Sequence, residues 1–126
     1  MINFALSTYG STITANKAAD SGSLSNAVNG SRRPLGSFGA NGLQLNGASA
    51  WIEIAFNTTR QISEIDVIFA NGGDLNNSDE PTLSSVAGFA ASQGIEAQYW
   101  NGASRVTIVS LSGNDKQRRQ FTFSAL

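Results

Sequence analysis

The stretch Ile95-Glu96-Ala97-Gln98-Tyr99-Trp100-Asn101-Gly102-Ala103-Ser104-Arg105-Val106-Thr107-Ile108-Val109-Ser110-Leu111 decides the fold class. Its first six residues set Ile95, Ala97 and Tyr99 against Glu96, Gln98 and Trp100, the two-residue period of a strand with one face towards a core. Asn101-Gly102 follows. Asn-Gly between alternating runs is a strong hairpin signal, because a tight type I′ turn needs positive φ at both central residues. The returning run, Arg105 to Leu111, places Val106 and Ile108 against Thr107, Val109 and Leu111.

The same grammar continues outward in both directions. Gly113-Asn114-Asp115 reads as a second turn into Gln120 to Ala125, with Phe121 and Phe123 on one face, so three consecutive strands are expected to form an antiparallel meander. Upstream, Trp51 to Phe56 alternates Ile52, Ile54 and Phe56 with Trp51, Glu53 and Ala55. Asn57-Thr58-Thr59 joins it to Ile62 to Phe69, which carries Ile65, Val67 and Phe69 on one face. Helix is confined to one turn at Leu24 to Val28, capped by Ser23 or Ser25 and ended at Gly30. Residues 29–49 and 70–92 have no period, and aperiodic loops of that length are commonly functional or disordered. Short strands, many turns and almost no helix predict an all-β fold, an antiparallel sandwich or barrel.

Composition agrees with that reading and closes off several functions. The chain has 126 residues, room for one domain (1–126), with 13 Gly, 40% hydrophobic residues and only 13% charged ones. Eight basic against nine acidic residues give a formal charge of -1, which offers no basic face for nucleic acid. There is no His and no Cys. The usual zinc sites, thiolate nucleophiles, disulfides and the Ser-His-Asp triad are therefore excluded, and an enzyme is not expected. No run approaches the roughly 20 apolar residues of a membrane span, and Met1-Ile2-Asn3-Phe4 lacks the basic start of a signal peptide.

The order of the pieces carries a resemblance. Asn3 to Thr14, Ala27-Val28-Asn29-Gly30, Trp51-Ile52-Glu53-Ile54, Ile62-Ser63-Glu64-Ile65-Asp66-Val67, Gln98-Tyr99-Trp100-Asn101-Gly102, Gly113-Asn114 and Phe121-Thr122-Phe123 follow one another as in the discoidin, or coagulation factor 5/8 type C, family, which the chain resembles along its whole length. The resemblance implies a jelly-roll β-sandwich of the galactose-binding-domain-like kind, extracellular or surface-associated, as on a virion. Loops at one end would bind glycans, lipid headgroups or protein without catalysis. Relatives often hold calcium beside an Asp-Gly element. This chain has Asn29-Gly30-Ser31 there, with less negative charge for a hard cation, so neither a metal nor any other cofactor is expected. The His that galactose-binding relatives use is absent. The family pattern continues beyond Phe121-Thr122-Phe123, which predicts either a shortened fold that closes with fewer strands or an open edge on a neighbouring strand, covered by Ile2 to Leu6 or by a homo-oligomer or strand-donating partner.

These considerations favour a carbohydrate-binding module working through loops 29–49 and 70–92, with a structural or attachment module as the alternative. Arg32, Arg33, Phe38, Asn41 and Asp74 are the expected ligand-binding residues. A guanidinium forks onto hydroxyls, carboxylates or sulfates, and an apolar ring in a Gly-Ser loop has no periodic reason to be buried. Asp74, Asn76, Asn77, Asp79 and Glu80 form an oxygen-rich cluster, but Asp79 stands where a calcium loop wants glycine, so a solvated loop is expected. Trp51 and Trp100 sit in strands and are expected to pack rather than stack on sugar. Lys116, Arg118 and Arg119 are expected at an exposed strand end, with a polyanion patch as the lesser reading.

Overall fold

A computed structural model describes residues 2–32, 42–47, 49–69, 80–86 and 94–126. Within them the chain is all-β apart from two 3-10 turns. The strands are β1 (Thr12–Ala15), β2 (Ser21–Gly22), β3 (Leu43–Gln44), β4 (Ile52–Ala55), β5 (Glu64–Ile68), β6 (Ile95–Trp100), β7 (Arg105–Leu111) and β8 (Arg118–Thr122). They form four antiparallel pairs, β1 with β4, β2 with β3, β5 with β8 and β6 with β7. Two compact units result, one of residues 1–61 with 75–80 and the other of residues 62–74 with 81–126.

In the first unit the expected helical turn is present as a 3-10 turn, Leu24–Val28. Ser23 occupies its N-cap without a side-chain hydrogen bond, and Gly30 lies just beyond its end at φ +83°. It packs beside β1 and brings in Val28, which with Pro81 is one of the two buried apolar residues among the described residues. A second 3-10 turn, Ser7–Tyr9, closes at Gly10, whose φ of +77° favours glycine. Asn57 lies so close to Gly10 that a Cβ would meet its amide nitrogen at 2.5 Å.

In the second unit β6 and β7 occupy the spans that the alternation predicts, but their joint differs. Trp100 pairs with Arg105, so the loop is the four residues Asn101 to Ser104 rather than a two-residue turn. Only Gly102 takes positive φ, and the Asn101 carboxamide oxygen accepts from the backbone N–H of Ala103 and of Ser104. The register slips between Ala97 and Gln98, which pair with Val109 and Thr107. Ile108 is the extra residue of a β-bulge, and it reverses the phase of the strand. Val106, Val109 and Leu111 therefore oppose Tyr99, Ala97 and Ile95 on the half-buried face, whereas alternation alone had put Val106 with Ile108 and across from Val109.

The expected meander stops after two strands. β8 pairs not with β7 but with β5, fifty residues upstream, setting Phe121 opposite Ile65, and reciprocal backbone bonds between Ile62 and Leu126 prolong that pairing. β4 likewise pairs with β1 instead of with its sequence neighbour β5. Every residue of β5 is half-buried, so neither of its faces is fully open to solvent. Gln117, leading into β8, is 2% exposed, and among the described residues its amide nitrogen has no partner. Among the described residues no helix is long and apolar enough to cross a membrane.

Candidate functional site

Arg32 is the one expected ligand-binding residue that the structure describes; Arg33, Phe38, Asn41 and Asp74 lie outside the described residues. Its guanidinium sits 3.1 Å from the carboxylate of Glu80, both side chains being nearly half-exposed. One end of stretch 29–49 thus meets one residue of stretch 70–92. A guanidinium beside a carboxylate sets donors next to acceptors, the arrangement complementary to a sugar hydroxyl, which is both. At the Asn29-Gly30-Ser31 element the Asn29 side-chain oxygen accepts from the Ser31 backbone N–H. Among the described residues no group of three acidic side chains could hold a metal ion.

The basic run is not a free, exposed strand end: its cations are paired within the fold. Arg118 makes a two-point contact with Asp66, at 3.0 and 2.8 Å, with both side chains only about one sixth exposed. Arg119 donates to Asn114 and Asp115, each at 2.7 Å, and Lys116 lies 3.6 Å from Asp115. Asn114 is wholly buried and holds the turn by bonding the backbone of Lys116 from both ends of its amide. The cations of this run are taken up by the fold.

Both tryptophans, expected to pack, are exposed, Trp51 by 48% and Trp100 by 61%. Trp100 ends the outer face of β6, which continues through Gln98 to Glu96; opposite them on β7 stand Arg105, Thr107 and Ser110, all exposed. Three side chains of this face bond to one another. The Gln98 amide donates to Glu96 Oε1, and over a long 3.5 Å to Thr107 Oγ1, while the Thr107 hydroxyl donates to the same Glu96 oxygen at 3.3 Å. Among the described residues Glu96 Oε2 and Gln98 Oε1, both acceptors, have no partner. An indole face in line with a carboxylate, an amide and a hydroxyl on one face of a hairpin is suited to a polyhydroxylated compound: a ring stacks on the indole and hydroxyls along the strand donate. Sequence reading missed this face because alternation shows which residues share a side but not whether another layer covers it.

Searches against protein-family models, curated proteins and solved structures found no match for the chain.

Proposed function

We propose that the chain is a discoidin-like β-sandwich acting as a non-catalytic carbohydrate-binding module. The observation that carries the reading is the exposed Trp100 indole on the outer face of β6–β7, in one row with the Glu96, Gln98 and Thr107 cluster. Stacking supplies contact area and polar groups supply orientation, the division of labour of a shallow sugar site. Affinity is modest, since each protein hydrogen bond replaces one to water at a net gain of about 1 kcal/mol. Arg32 beside Glu80 is the part of the loop-based expectation for which geometry supports a role. A glycan array tests the reading, followed by calorimetry on retained glycans. Retention lost in Trp100→Ala with an unchanged melting curve supports it, and an array that retains nothing overturns it.

The alternative, an attachment module on a surface assembly or virion, is favoured by Leu83 and Val86, apolar side chains exposed by 51% and 66% on a segment bridged to Lys116. Light scattering across a concentration series separates the two: self-association abolished by Val86→Ser favours attachment, and a monomer at every concentration removes the homo-oligomer.

A further inference from the structure

We propose that the β6–β7 face takes a neutral glycan of at least two sugar units laid along β6, rather than a single sugar or an acidic one. The inference rests on the carbohydrate-binding reading and adds length and charge to it. Trp100 and Glu96 lie four residues apart on one face of the same strand, about 13 Å at the usual rise, which exceeds the reach of one pyranose ring. A sugar stacked on Trp100 reaches no farther than Gln98 and Thr107, about 7 Å along the strand, and leaves Glu96 to a neighbouring unit.

The cluster also states what that unit must offer. Glu96 Oε1 already accepts from Gln98 and Thr107, and the Gln98 amide nitrogen is engaged with both. What the cluster has left is mainly acceptors, Glu96 Oε2 and Gln98 Oε1, so the ligand has to donate. Neutral hydroxyls do so. A uronate or sulfate at this unit would set an anion against the Glu96 carboxylate, where an acceptor meets an acceptor and like charges repel, while the cation of the face, Arg105, stands at the far end opposite Trp100.

The experiment uses the full chain and the neutral glycan with the strongest array signal, prepared as a ladder of one to four units, together with a uronate-bearing counterpart of equal length. Affinity is expected to rise about tenfold from one unit to two, because the second unit adds hydrogen bonds to the free acceptors of the cluster. Glu96→Gln should weaken the two-unit ligand several-fold, leave the one-unit ligand unchanged and narrow the gap between neutral and uronate forms. Thr107→Val, which keeps the charge, should weaken the two-unit ligand without narrowing that gap. Trp100→Ala should weaken both lengths. Melting curves of Glu96→Gln and Thr107→Val, both at exposed positions, report folding. A retained glycan whose single unit binds as tightly as the tetramer, or a ladder indifferent to both cluster variants, overturns the proposal and leaves the carbohydrate-binding reading standing. An array that retains no glycan overturns both.

Discussion

Two exposed polar clusters, each with an exposed tryptophan beside it, differ in what their side chains bond to. In the first unit Asn16, Lys17, Asp20, Gln44 and Asn46 form a corner held to the main chain. Asn16 accepts from the Trp51 backbone N–H at 3.1 Å and donates to the Ser49 carbonyl at 2.8 Å. Lys17 donates to the Asn46 carbonyl at 2.9 Å, and Asp20 accepts from the Asn46 N–H at 2.6 Å. On β6–β7, among the described residues, the Glu96, Gln98 and Thr107 side chains bond only to one another. Side chains that satisfy loop backbone build the loop, because breaking them strands main-chain groups. Side chains that satisfy only each other on a flat strand face can exchange partners with a ligand. A similar composition therefore serves structure in one place and recognition in the other.

The sharpest way to break this contrast is Asn16→Ala. Loss of two side-chain to backbone bonds should destabilise the chain by about 1–2 kcal/mol, measured by urea unfolding. A change within about 0.3 kcal/mol would mean that the corner holds nothing. Next, the tryptophans should separate in binding: Trp100→Ala should cost about tenfold in glycan affinity, some 1.4 kcal/mol, whereas Trp51→Ala should leave it unchanged. Equal losses would place recognition elsewhere. Smaller still, Thr107→Val should alter stability by no more than about 0.5 kcal/mol, as expected of an exposed strand position whose bonds hold no backbone.

The smallest effect concerns acid. The Asn46 backbone N–H and then the Lys17 ammonium hold the Asp20 carboxyl below its ordinary value of 3.8. A carboxyl lowered in the folded chain contributes stability that is complete above the ordinary value and is lost as pH falls through the folded one. Wild type should therefore exceed Asp20→Asn in melting temperature at neutral pH, and the difference should shrink below about pH 4. A difference that is constant with pH would show that the charge of Asp20 is immaterial to the corner.

How much of this was legible in the sequence varies with the range of the interaction. The spans of β6 and β7, the turn at Leu24–Val28 and the role of Gly30 follow from alternation and capping chemistry, which act over a few residues. The bulge at Ile108 was not legible, because a one-residue slip depends on the facing strand. Of the expected site residues, Arg32 is the one that the structure describes. Its Glu80 partner lies 48 positions away, beyond the reach of any local pattern.

By itself, then, the sequence determined the strand-rich character, the near-neutral charge and the absence of thiol and imidazole chemistry, since composition and two-residue periodicity are local properties. Tertiary structure alone decided that β8 joins β5, that Arg118 and Arg119 are taken up by Asp66, Asn114 and Asp115, and that Trp100 faces outward. Each of these outcomes turns on which distant segment arrives beside a given residue. An arginine is a binding group or a structural one according to whether a carboxylate reaches it first, and an indole according to whether another layer covers it.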